Sequence, residues 1–422
     1  MNVTGRRGLV SWAFYDWANS AYAAVVMAGF FPVFFKEYWS ASGDPVTSTF
    51  WLGAANSASS LVMLVSAPIL GATADAGARK KDFLAAFVLL GTVSTAFLVL
   101  VPQGAWPMAG LLFILATMGF MEGNTFYDSL LIDVSGARSL DTVSALGFAV
   151  GYLGGGLLLA LCVAMAWRPE LFGLNGLPQA VKTGFLLVSI WWFVFSIPLF
   201  LFVRESGKRQ AIGSAFRQGL ARLASTLREI RSYRTVVIFL AAYWLYIDGV
   251  DTVVRMAVDY GLALGFRATD LLLALLITQF VGFPASFAFG WISSWIGAKW
   301  GIFLGLFVYG GITIWGCRIE SAWEFYAIAV VIGLVQGGVQ LLSRSFYARI
   351  IPPDRAAEFF GFYNMLGKFA AVIGPFLVGW ISSVSGSNRI GILSLLFLFI
   401  SGAMLLLLIQ AEGHLKVACS SV

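Results

Sequence analysis

Long apolar runs separated by short polar ones dominate the chain. Runs long enough to cross a bilayer fall at roughly 9–35, 48–70, 83–101, 107–132, 143–167, 184–203, 235–260, 270–293, 300–318, 323–348, 357–382 and 390–410, against about 20 apolar residues needed per spanning helix. The pattern predicts twelve transmembrane helices. The loops are short except one, Arg204 to Arg234, between spans 6 and 7. It divides the chain into 1–203, 204–234 and 235–422: an N-terminal six-helix bundle, a basic linker and a C-terminal six-helix bundle. The expected fold class is an all-α polytopic membrane protein with two pseudo-symmetric halves.

Composition closes off the alternatives. Of 422 residues, 59% are hydrophobic and 11% charged, where soluble domains carry about 25% charged residues. The net charge of +6 is no nucleic-acid footprint, because Lys and Arg crowd the cytoplasmic loops of membrane proteins. With the N-terminus placed inside the cell, 19 of the 27 basic residues fall on the cytoplasmic side. That predicts two cytoplasmic termini and a multi-pass protein of the plasma membrane (a bacterial inner membrane). The first residues, MNVTGRRGLV, carry no cleavage site before the apolar run and read as the retained start of span 1. Three scattered cysteines (Cys162, Cys317, Cys419) and a single histidine, His414 in the polar tail, offer no metal site and no disulfide framework. No cofactor is expected. Within the linker, Ala215 to Ile230 has the periodicity of a basic amphipathic helix, which can lie on an anionic leaflet. It reads here as a structural connector at the membrane surface.

The two halves echo each other. Span 1 carries Tyr15-Asp16-Trp17-Ala18-Asn19 and span 7 carries Ile247-Asp248-Gly249-Val250-Asp251, each an acid followed three positions later by an acid or its amide. Gly119 and Glu122 of span 4 correspond to Gly333 and Gln336 of span 10, and Gly147 of span 5 to Gly361 of span 11. The loop after span 2 opens Gly71-Ala-Thr-Ala-Asp75, and the loop after span 8 opens Gly290-Trp-Ile-Ser-Ser294. Such repeats mark secondary transporters, whose halves rock around a midplane site.

Gly71 to Lys81 resembles the loop 2–3 signature of the major facilitator superfamily: a glycine, an aspartate four later, then a glycine and a basic cluster. Here Ala78 stands at the usual second glycine and Gly77 one place early. The resemblance implies the major facilitator fold. It also implies that Asp75, with Gly71, Arg79 and Lys80, forms a latch between halves in the outward-facing state. The second copy has Ser294 in place of the acid, so its latch is expected to be weaker. A narrower resemblance, to the vacuole-effluxer-like branch of that superfamily, rests on Trp12 to Tyr22, on Tyr246 to Thr252, and on Gly337 through Ser345 and Ile351 to Pro375. It implies export of a neutral amino acid for the fungal member and fixes less for bacterial relatives.

Ionisable groups inside spans are costly, so their default reading is functional. Asp16, Asn19 and Tyr22 share a face of span 1, and Asp248, Asp251 and Arg255 a stripe of span 7. Glu122 sits deep in span 4, with Asp128 and Asp133 nearer the cytoplasm as gate groups. Gln336, Gln340 and Arg344 share a face of span 10, and Asn364 and Lys368 one of span 11. An amino-acid zwitterion needs a cation and an anion a few ångströms apart. Lys368 or Arg255 with Asp16 or Asp248 could supply them. With no membrane histidine, a carboxylate must carry any coupled proton, and Asp248 is the first candidate. The stripe Gly147, Gly151, Gly155 on span 5 predicts close helix approach.

The expectation is a secondary active transporter of a small solute, a neutral amino acid or similar zwitterion, moved by alternating access with proton-coupled efflux. Its partners would be that substrate, protons and the bilayer, and the chain is expected to act as a monomer. Two alternatives remain at this stage. One is a fold-retaining translocator of lipids or amphiphiles, or a membrane sensor. The other, a polytopic lipid enzyme, lacks a nucleophile or metal constellation, and no phosphate-binding glycine-lysine loop is present for ATP hydrolysis.

Overall fold

The computed structural model describes residues 3–40, 45–136, 139–207, 209–263, 268–319, 321–369 and 373–409. The side chains of Arg255 and Lys368 lie outside the described set. Helices follow one another along the chain: α1 (Val3–Ala21), continued through wider-wound turns and the short α2 (Phe31–Phe34), then α3 (Pro45–Gly77), α4 (Lys80–Phe97), α5 (Trp106–Ser135), α6 (Leu140–Trp167) and α7 (Leu177–Phe202). The linker holds α8 (Ile212–Arg228). After it come α9 (Arg234–Ala263), α10 (Ala268–Ile296), α11 (Ala298–Gly316), α12 (Ala322–Ile350), α13 (Ala356–Phe369), α14 (Ile373–Ser385), α15 (Asn388–Leu393) and α16 (Leu395–Leu407). No strand occurs among the described residues. In a bilayer core every backbone N–H and C=O must be satisfied internally, which leaves helices as the solution for runs this apolar.

Eleven of the described helices are long and apolar enough to cross a membrane. The expected span 357–382 falls on residues that are described only in part. It is described as two shorter helices, α13 and α14, and 370–372 between them lie outside the described residues.

Without a hydrophobic force between helices in lipid, close approach depends on small residues. A Cβ on Gly119 would stand 2.5 Å from the Gly91 nitrogen, so α4 and α5 meet backbone to backbone. The α6 stripe does the same for α1: a Cβ on Gly147 would lie 2.5 Å from a carboxylate oxygen of Asp16, and one on Gly151 2.7 Å from the Ser20 hydroxyl. Several helix pairs join the helices before α8 to those after it. α6 packs along α10, with Ala145 against Gly290 and Tyr152 against Gly282, and along α12, with Tyr152 against Gly337. α3 packs on the start of α13, where Gly71 meets the Ala357 carbonyl and Gly361 lies against Ala67 and Pro68. Pro68 and Pro284 interrupt the hydrogen-bond ladders of α3 and α10, the corresponding helices of the two halves.

The end of α3 is held by the linker. Gln210 N–H donates to the Gly77 carbonyl at 3.1 Å, and Arg79 and Arg209 both reach Asp82. Glu205 accepts the backbone N–H groups of Lys80 (2.6 Å) and Lys81 (3.3 Å), capping α4. Burial pushes the Glu205 carboxyl above its ordinary range while those N–H groups pull it back. The turn between α3 and α4 is made by Ala78 in the left-handed region, φ 49°.

Candidate functional site

At the linker end, three polar clusters cross from the helices before α8 to those after it. The central one is built around Arg344 of α12, whose side chain is buried. Its Nη1 lies 3.3 Å from Asp16 of α1 and 3.1 Å from Asp128 of α5. Its Nε donates to the Ser144 hydroxyl at 3.0 Å and its Nη2 to the Ser144 carbonyl at 3.0 Å. The guanidinium also lies over the rings of Phe148 (4.3 Å), Trp12 (5.1 Å) and Tyr127 (5.6 Å). A planar fork with five donors suits this combination of carboxylates and aromatic faces; an ammonium would not. The acids are themselves oriented. Tyr127 donates its hydroxyl to Asp16 at 2.8 Å, and the Asn364 amide of α13 donates to Asp128 at 3.0 Å. Room for the cluster comes from Gly147, where a Cβ would sit 3.0 Å from Arg344 Nη2.

The second cluster is the expected latch. Asp75, at the end of α3, accepts the backbone N–H of Glu358 at 2.8 Å, which places a carboxylate at the N-terminus of α13. Lys80 stands 3.6 Å from Asp75 and 3.2 Å from Asp133. Gly71 gives the clearance for α13 to come this close. Glu358 is itself buried, and neither of its carboxylate oxygens has a hydrogen-bond partner among the described residues.

The third cluster is centred on Asp141, in the first turn of α6. It accepts the hydroxyls of Ser345 (2.5 Å) and Ser293 (3.1 Å) and pairs with Arg349 at 2.5 Å.

The remaining expected site residues fall in several places. Asn19 donates to Asn124 at 2.6 Å, and Tyr22 shares a 2.9 Å hydrogen bond with Thr117 while packing on Phe120 and Trp192. Both contacts stay among the helices before α8. Glu122 accepts from the Ser66 hydroxyl, and its second oxygen has no hydrogen-bond partner among the described residues. Asp248 accepts the Gly374 N–H at 2.9 Å and the Thr252 hydroxyl at 3.4 Å, so it caps α14. Asp251, Gln336 and Gln340 are half-buried on α9 and α12. Arg255 and Lys368, expected as partner cations, have side chains outside the described residues, and the cation that meets Asp16 is Arg344 instead. Arg79, expected in the latch, places its guanidinium on Asp82 and on the Gln210 carbonyl of the linker. Sequence reasoning passed over Asp141, Ser144, Tyr127 and Glu358.

Long helices throughout, with buried polar clusters tying those before α8 to those after it, make an all-helical membrane fold. Solved structures agree. The human organic anion transporter MFSD10 (TETRAN) aligns with TM-score 0.70 at 15% identity, covering 95% of this chain and 99% of that one. The proton:xylose symporter XylE aligns with TM-score 0.67 at 12% identity, covering 96% and 95%. The fold is that of the major facilitator superfamily. Within it, this chain belongs to the vacuole effluxer Atg22-like family, whose model matches residues 4–134 and 133–417. Its relatives include the uncharacterized MFS-type transporter YxiO of Bacillus subtilis (strain 168), 34% identical over 411 residues that cover 97% of this chain and 96% of that protein. Autophagy-related protein 22-1 of Penicillium rubens is 24% identical over 544 residues, covering 97% and 90%. The protein is a multi-pass membrane transporter and not an enzyme.

Proposed function

We propose that this transporter exports a neutral amino acid or similar small zwitterion by proton-coupled alternating access, as a monomer in the plasma membrane with both termini cytoplasmic. In this reading 1–203 and 235–422 are the two moving bundles and 204–234 the cytoplasmic linker. The observation that carries it is the charge count of the central cluster. One buried cation, Arg344, faces two buried carboxylates, Asp16 and Asp128, contributed by the other bundle. A buried charge is tolerated only when paired, so this cluster has a surplus negative charge that a proton can neutralise.

The same groups suit a zwitterion. Its carboxylate would take the Arg344 fork and its ammonium an aspartate, replacing the bonds that tie the bundles together. Binding and unlocking would then be one event, which is what alternating access requires of a substrate. Asp16 is accordingly the better proton carrier, ahead of Asp248, whose carboxylate is occupied in capping α14. The test is counterflow of a panel of neutral amino acids in proteoliposomes, with and without a pH gradient. Asp16→Asn should retain exchange and lose gradient-driven accumulation. A variant that still accumulated substrate in response to the gradient would refute proton carriage by this cluster. Absence of exchange for the whole panel would refute the substrate class.

A further inference from the structure

The linker helix α8 has three distinct sides. The first is made of small residues and faces the protein: Ala215, Gly219 and Thr226 are buried, and a Cβ on Gly219 would stand 2.7 Å from the Thr73 nitrogen of α3. The second, next to it around the helix, carries Ile212, Phe216, Leu220 and Leu227, all exposed despite their size. The third carries Arg217 and Arg228, also exposed. A large apolar stripe left in the open wants a cover, and a polar–apolar helix edged with arginine matches the boundary of a bilayer.

Charge says which bilayer surface. Residues 204–234 hold eight basic and two acidic side chains, an excess of six. That equals the formal net charge of the entire chain, +6. The rest of the protein is balanced. A segment that concentrates the whole excess beside an apolar stripe, on helices that already end at a membrane surface, fits an anionic leaflet better than a protein partner.

The buried side of α8 adds a consequence. It grips α3 within a few residues of Asp75, and Arg355, just ahead of α13, donates to the Thr226 hydroxyl at 3.0 Å. One helix therefore touches both partners of the Asp75–Glu358 latch. We infer that α8 docks on the anionic lipid leaflet through Ile212, Phe216, Leu220, Leu227 and its arginines, and that this docking holds the linker end closed. Anionic lipid then acts as an effector of the conformational equilibrium, binding at a place distinct from the solute pathway.

The experiment uses the full chain in vesicles of phosphatidylcholine alone or with phosphatidylglycerol, and needs no transported solute, so it stands or fails separately from the proposed substrate. A bimane fluorophore at Leu220→Cys reports contact with phosphatidylglycerol carrying an acyl-chain nitroxide. Spin labels at the exposed positions Arg7→Cys and Asp354→Cys report the separation of the bundles at the linker end. Phosphatidylglycerol should quench the fluorophore and raise the short-distance population about fivefold, a typical allosteric factor. The Arg217→Gln, Arg228→Gln, Arg231→Gln triple variant should lose both responses while still showing both distances. Equal quenching by labelled phosphatidylcholine, or quenching that the triple variant keeps, overturns the anionic-leaflet assignment. Quenching with an unchanged distance distribution overturns the coupling, and a fluorophore shielded from all lipid by a second copy or another protein overturns the surface itself.

Discussion

The latch at α3 and the one at α6 close the same end of the molecule by different means. At α3 the carboxylate of Asp75 accepts a main-chain N–H of Glu358; the partner helix contributes its N-terminus and no side chain. At α6 the carboxylate of Asp141 meets Ser293, Ser345 and Arg349, three side chains from two helices. The sequence repeat pairs Asp75 with Ser294 and so suggests a weak second latch. In the structure Ser294 bonds to the Trp291 carbonyl of its own helix and is exposed, while its neighbour Ser293 donates across to Asp141. The acid has changed sides and the contact has survived. A pseudo-symmetric repeat preserves where two helices are tied, not which of them brings the charge.

Three substitutions break this comparison open, each read by transport rate in vesicles and by alkylation of a cysteine placed in the closed end. Asp141→Ala should have the largest effect. It leaves Arg349 and two hydroxyls without their shared acceptor, and slowing by about 100-fold, near the upper end of ordinary coupling factors, is expected. Asp75→Asn should cost about tenfold, because the amide oxygen still accepts the Glu358 N–H and only the attraction to Lys80 and the helix end is lost. Ser294→Ala should change neither readout. If Asp75→Asn were the more damaging, the helix-terminus contact would outrank the side-chain network. If Ser294→Ala opened the end, the repeat would have identified the partner correctly after all.

Much of the fold was readable because desolvation leaves little choice: a chain with a dozen long apolar runs must place them in lipid as helices. Asp16, Asp128, Asn364 and Arg344 all stood out as polar groups inside spans. Their mutual pairing did not, because Asp16 and Arg344 are 328 positions apart and only the packing of α1, α5, α6 and α12 selects one cation over another. Asp141 escaped notice for the opposite reason. An acid in the first turn of a helix is already explained by the helix dipole, so nothing in the sequence demanded a further partner.

The turn between α3 and α4 has an evolutionary consequence. Ala78 holds a left-handed backbone that costs an ordinary residue roughly 1–2 kcal/mol, and it does so where the superfamily pattern has glycine. Its methyl fits because the linker residue facing it is Gly207, where a Cβ would lie 3.1 Å away. The glycine missing from the turn has in effect been relocated to the linker. Position 207 is therefore fixed twice over: its backbone, at φ 111°, favours glycine, and the Ala78 methyl fills the space a side chain there would need, so a lineage that restored glycine at 78 would lift only the second constraint.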